Sequence, residues 1–211
     1  MRQQTEVREA EPRTFSASSR DRILQSAKSL FAAQGYAKTS TVTIARTAGT
    51  SESQMMKHFG SKDGLLAAIF EESWQRINWS ARQAIQDLTS PSEKLLVLSG
   101  VVMSALDRDP ELKLLMLLEG RRVRKEGQMV SLAQGYLEFV RLTDDVLSEM
   151  RDAGLLRPGT HLQAMRSALM GALEGLMRDQ LLARRVGFPA QYSAEELREA
   201  FSGVFTSFLR P

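Results

Sequence analysis

The chain has 211 residues, enough for one large domain or two small ones, and its composition (43% hydrophobic, 25% charged) is globular, which excludes intrinsic disorder as the overall description. It has no cysteine and only two histidines, His58 and His161, so a disulfide scaffold, a thiol nucleophile, and Cys-ligated or multi-His metal centres are excluded; no metal and no cofactor are expected. The formal charge of +3 is unevenly spread: residues 20–64 carry seven Lys/Arg against three Asp/Glu, and the remainder is close to balanced, so one segment is a candidate for contact with a polyanion.

Residues 1–17 are polar, mixed in charge and without periodicity, and read as a disordered tail. From Ser18 onward the apolar residues recur with a period near 3.6. Ile23, Ala27, Leu30 and Phe31 line one helix face, with Ser18 or Ser19 as N-cap and Gly35 as terminator. Thr39 and Ser40 can cap a short helix through Val42, Ile44 and Ala45 that stops at Ala48-Gly49. Ser51–Gln54 then reads as a capping box opening a second short helix to His58-Phe59. Ser61 starts a long helix with Leu65, Leu66, Ile69, Phe70, Trp74, Ile77, Ala81 and Leu88 along one side. Ser90-Pro91-Ser92-Glu93 and Asp109-Pro110 each place a cap and an N1 proline before a further helix. The segment from Glu119 to Gly127, with Arg121, Arg122, Arg124 and Lys125, reads as a solvated connection. A helix follows over roughly 128–153, another from a Thr160–Gln163 capping box to about Arg185, and a last one from Ser193 to near Leu209. The expected fold is all-α, with about nine helices. Three short helices in about 45 residues bury little alone, so the long helix after Ser61 must pack on both halves and join them.

Thr39–Lys62 carries the chemistry. Two short helices joined by Ala48-Gly49-Thr50 form a helix-turn-helix arrangement, whose second helix is built to enter the major groove of DNA. The stretch from Gly35-Tyr36 through Thr39-Ser40, Ile44-Ala45 and Ala48-Gly49 to Ser51, followed by Phe59-Gly60-Ser61-Lys62-Asp63-Gly64-Leu65-Leu66, resembles the DNA-binding domain of the TetR family of transcriptional regulators. The resemblance covers residues 20–67 and departs from the family pattern at two places: Met56 stands where the recognition helix usually has Tyr, and Ser53 where Gly is usual. It implies a helix-turn-helix DNA-binding domain over 18–65 and a helical effector-binding and dimerisation domain over 66–211. It also implies a homodimer on a palindromic operator, and repression relieved by a small-molecule effector.

Within the recognition helix, Glu52, Ser53, Gln54 and Met56 are placed for base edges: Gln54 suits adenine, Glu52 a cytosine amine and Met56 a thymine methyl. Glu52 in a first turn also suits the helix dipole. Lys57, His58 and Lys62, with the hydroxyls of Thr39, Thr41 and Thr43, are candidates for phosphate. Ala45, Ala48, Met55 and Phe59 read as the core of the unit, buttressed by Tyr36. In the body, the Gly171–Gly175 small-residue pattern and the apolar stripe of Phe201, Val204, Phe205 and Phe208 are expected at a dimer interface, with packing inside one chain as the alternative for the glycines. Methionine suits adaptable cavities, and Trp74, Met103, Met116, Tyr136, Phe139, Met170 and Glu174 are the expected ligand pocket.

An enzyme is disfavoured by the lack of a G-x-S-x-G, P-loop or G-x-G-x-x-G motif. A helical protein–protein adaptor without specific DNA binding is the alternative. No targeting segment or membrane span is visible, so a soluble cytoplasmic protein without membrane contact is expected.

Overall fold

The computed structural model describes residues 18–119 and 133–211. The expected tail and the basic connection at 121–125 lie outside these residues, as does the start of the helix read from residue 128. The described residues form nine helices: α1 (Ser19–Gln34), α2 (Thr41–Thr47), α3 (Glu52–Phe59), α4 (Lys62–Ile85), α5 (Pro91–Arg108), α6 (Pro110–Leu118), α7 (Gln134–Asp152), α8 (Leu162–Val186) and α9 (Ala194–Thr206).

Short polar side chains start most of them. Ser18, Ser40, Ser51, Ser61, Ser90, Asp109 and Ser193 each accept a hydrogen bond from the backbone amide three residues on, satisfying one of the four amides a helix start leaves orphaned. Two starts differ from expectation. At α8 the cap is His161, whose Nδ1 accepts from the Ala164 amide at 3.4 Å, while the Thr160 hydroxyl turns back to the Arg157 carbonyl. At α7 the N-cap is Ala133, which offers no side chain; the Gly135 amide is instead satisfied from another helix by the Glu71 carboxylate of α4 at 3.1 Å.

Among the described residues, α4 packs on α1 and α3 and also on α5 and α7, so one continuous rod joins the N-terminal group of helices to the rest. The core follows it. Ile23, Ala27 and Phe31 of α1, Ile44 and Met55 of the short helices, and Leu65, Leu66 and Ile69 of α4 are buried together. Farther along, Ile77 and Ala81 continue the same core with Leu98 of α5, Leu115 of α6, Leu147 of α7, and Met165 and Leu169 of α8. Gly135 permits a close crossing of α7 over α4: a Cβ there would lie 2.7 Å from the Trp74 Cβ. The Asn78 amide, itself buried, donates to the Gly135 carbonyl at 2.7 Å and bolts the crossing.

The last helix corrects an expectation. Phe201 and Phe205 are 4% and 2% exposed within the single chain, because α9 lies on α8 and inserts both rings into the protomer's own core. They have no surface left for a partner subunit. Val204 and Phe208 are half-buried. Past α9 the chain returns to the α7–α8 turn, where the Arg157 amide donates to the Phe208 carbonyl and the Arg210 amide to the Leu155 carbonyl. Gly171 faces open space, with nothing within 4 Å of a Cβ placed there, so no helix of the described chain uses the small-residue stripe of α8.

Candidate nucleic-acid interface

The turn between α2 and α3 is made by Gly49, whose φ of +64° is the left-handed region that a side chain disfavours. It lets α3 cross α2 closely, and small Ala45 and Ala48 are buried beneath. Met55 is fully buried and anchors α3 from behind. The opposite side of α3 is bare: Glu52, Ser53, Gln54, Met56, Lys57 and His58 are all exposed. The Ser51 hydroxyl accepts from the Gln54 amide at 3.1 Å, but among the described residues the reciprocal bond from the Gln54 side chain is not made. That side chain is therefore not consumed as half of a capping box.

Behind this face sits a compact polar brace. Tyr36 is buried, its ring 5.0 Å from Phe31, and its hydroxyl donates to the Asp63 carboxylate at 2.6 Å. Lys62 lies over the Tyr36 ring at 4.4 Å, and its ammonium donates to the carbonyls of Tyr36 and Thr39 at 3.1 and 3.0 Å. Two of the three ammonium protons of Lys62 are thus turned inward to the loop before α2. The expectation of a phosphate contact for Thr39 is corrected. It is 1% exposed, and its hydroxyl donates to the Gly35 carbonyl at 2.9 Å. The Thr41 hydroxyl donates to the Glu52 carboxylate, orienting that carboxylate at the first residue of α3. Thr43 shares a hydrogen bond with Ser40 at 2.8 Å, and His58 shares one with Ser19 of α1 at 3.3 Å.

The basic segment resolves into two groups. Arg20 pairs with Glu72 of α4 and stacks on Phe59; Arg22 donates to the Ala48 carbonyl; Lys28 pairs with Asp109 at 2.6 Å, with Glu111 at 3.9 Å; Lys62 braces the loop before α2. These four hold helices together. Lys38, Arg46 and Lys57 are exposed and enter no ion pair among the described residues. Lys38 and Arg46 thus join Lys57 as cations free to meet a polyanion. The overall charge balance pointed to the segment but not to these two.

Asp109 has two tasks. One carboxylate oxygen caps α6 by accepting from the Leu112 amide at 3.0 Å, and the other accepts from Lys28 of α1. Burial pushes its pKa up, but the bonds from Lys28 and Leu112 and the nearby charges of Lys28 and Arg76 outweigh burial and hold it below the usual value. An open cleft of about 530 Å³ lies beside this joint, lined by residues of α1, α2 and α4 that include Arg22, Lys28, Glu72 and Arg76. It shares no residue with the expected ligand pocket. Of that set, the rings of Trp74, Tyr136 and Phe139 come together between α4 and α7, with centroids 5.1 and 5.3 Å from Trp74. Met103, Met116 and Met170 pack half-buried against the core from α5, α6 and α8, and Glu174 is half-buried on α8.

Comparison with known proteins agrees with this geometry. Residues 23–69 match the family model for bacterial regulatory proteins of the tetR family, and residues 70–199 match that for the C-terminal region of YsiA-like proteins. The "Fatty acid metabolism regulator protein" of Bacillus subtilis (strain 168) is 23% identical over 154 residues, which cover 72% of this chain and 78% of that one. Among solved structures, the fatty acid degradation regulator FadR of Bacillus halodurans superposes with a TM-score of 0.74 at 23% identity, covering 90% of this chain and 99% of the other. FadR of Bacillus subtilis in complex with stearoyl-CoA superposes with a TM-score of 0.71 at 21% identity, covering 87% and 94%.

Proposed function

Because this chain belongs to the tetR family of bacterial regulatory proteins, we propose that it is a dimeric, cytoplasmic repressor that holds a palindromic operator and leaves it when a small molecule binds the helical body. The division is a DNA-binding unit over 18–65 and an effector and dimerisation body over 66–211. The observation that carries this reading is the bare face of α3, with Glu52, Ser53, Gln54, Met56 and Lys57 in water while Met55 is fully buried behind them. A helix held rigidly from behind and polar in front is what base readout requires. A protein–protein adaptor would not need a polar helix face with Lys38 and Arg46 also exposed on the same unit.

Dimerisation is supported by the open stripe at Gly171 and Gly175 of α8, and by the partial exposure of Val204 and Phe208 near the end of the chain. Two α3 helices must reach successive major grooves roughly 34–36 Å apart. An effector acts only through different affinities for the DNA-competent and released states, with couplings of about 1–3 kcal/mol. The route is α4, which is continuous across both units, together with the Lys28–Asp109 joint between α1 and α6. For the effector class, the fatty-acid regulators among the similar proteins, one of them solved with stearoyl-CoA, support an acyl-CoA thioester.

The test is selection of bound duplexes from a random-sequence library, followed by binding titrations over a range of salt. Three free cations per protomer, Lys38, Arg46 and Lys57, predict a slope of log K against log salt of about −5 for a dimer, at roughly −0.9 per phosphate neutralised. Gln54→Ala should relax preference at one base pair. Recovery of no common sequence from the selection contradicts the regulator reading. Release by stearoyl-CoA but not by free coenzyme A tests the effector class.

A further inference from the structure

Val42 and Met56 are large apolar side chains left in water on the helix-turn-helix surface, 58% and 41% exposed. Isolated exposed apolar residues are ordinary; these two are set apart by their position. Val42 is the second residue of α2, next to Thr41, whose hydroxyl holds the Glu52 carboxylate at the first residue of α3. The starts of the two helices therefore lie side by side. Met56 is four residues beyond Glu52, one turn along the same face of α3. The core-facing residues of the pair are others, Ile44, Ala45 and Ala48 on one side and Met55 on the other, and all are buried. The remaining exposed groups of α3 (Glu52, Ser53, Gln54, Lys57 and His58) are polar. Two apolar side chains thus interrupt a polar surface at the place where a duplex would lie.

In the major groove only one base-edge group is apolar, the C5-methyl of thymine. We infer that Val42 and Met56 read thymine methyl groups at two positions of each operator half-site, so that base readout extends from α3 onto α2. This rests on α3 entering the major groove, as proposed above. Withdrawing one methyl-sized group from water is worth ~0.8 kcal/mol, about fourfold in Kd. A symmetric change in both half-sites compounds to about 15-fold.

The experiment uses the full chain and the best-bound duplex from the selection. Thymines are replaced by deoxyuridine one position at a time, symmetrically in both half-sites. Deoxyuridine keeps every hydrogen-bonding group and lacks only the methyl. The wild-type protein should lose about 15-fold at two positions. Val42→Ala should abolish the penalty at one of them and Met56→Ala at the other, each leaving the second penalty intact. Both side chains are exposed, so both variants should fold, which a thermal melt verifies. If the duplex is bound specifically but no deoxyuridine position weakens it, or the penalties persist unchanged in both variants, methyl readout is wrong while the regulator reading stands. If no sequence is selected at all, both fail together.

Discussion

Gly135→Ala places one methyl group where α7 crosses α4. The new Cβ would meet the Trp74 Cβ at 2.7 Å, with the Gln75 amide nitrogen and the Trp74 carbonyl carbon at 3.3 Å. None of these atoms is the free end of a flexible side chain, so the start of α7 must lift by several tenths of an ångström. Lifting stretches two hydrogen bonds that depend on the crossing, Asn78 to the Gly135 carbonyl at 2.7 Å and the Gly135 amide to Glu71 at 3.1 Å. Overpacking costs roughly 1–3 kcal/mol and a weakened bond up to about 1 kcal/mol each. Alanine's better helix propensity returns less than about 1 kcal/mol, since the position is in the first turn. The net is a loss of about 2 kcal/mol, or a Tm lower by roughly 4–8 °C in a chain of this size. Calorimetry or circular dichroism melts check it. A Tm equal to or above wild type would refute the claim that the α4–α7 crossing is sterically closed.

Three further outcomes follow from the same geometry. Lys62→Met keeps the stem over Tyr36 but removes two donors to backbone carbonyls, so the DNA-binding unit should lose about 2 kcal/mol of stability with the salt slope of DNA binding unchanged; a slope shallower by about 2 for the dimer, at unchanged stability, would make Lys62 a phosphate contact instead of a brace. The Asp109 carboxyl is held below its ordinary 3.8, so its contribution is complete above that pH and fades as pH falls through the lower folded value. Denaturant midpoints of wild type and Asp109→Asn should therefore differ by a constant amount from pH 5 to 7 and converge below about pH 4; a gap that widens on acidification would contradict the assignment. Gly171→Glu adds a carboxylate to an open face of α8; the protomer should melt no lower, sedimentation should show monomers at micromolar concentration, and DNA affinity should fall, whereas an intact dimer would move the interface elsewhere.

The helices were legible because their signals are local. A serine or aspartate three residues ahead of an amide, a proline at the first turn and an apolar period near 3.6 need no knowledge of the rest of the chain. The exposed face of α3 was legible too, since burying Met55 turns Glu52, Ser53, Gln54 and Met56 outward. Partners brought from elsewhere in the chain were not legible. Thr39 and Lys62 look like surface groups until the loop carbonyls of Gly35, Tyr36 and Thr39 are folded over them. Arg20 and Lys28 look like part of a basic patch until Glu72 and Asp109 arrive from later helices. Phe201 and Phe205 form a stripe whose period shows that it is buried, but not whether its cover comes from the same chain. The missing N-cap of α7 is supplied by Glu71, which lies 64 residues away in sequence.

In the proposed complex α3 lies in the major groove, twice per bound dimer. Guanine N7 lies on the floor of that groove, so protection of guanines from dimethyl sulfate on the selected duplex tests it most directly. Two protected clusters are expected on one face of the duplex, related by two-fold symmetry and about 10 base pairs apart or a multiple of that, each lost when Glu52, Gln54 and Met56 are replaced together by alanine. Protection confined to adenine N3, which the same reagent reports from the minor groove, or a pattern unchanged in that triple variant, would contradict it.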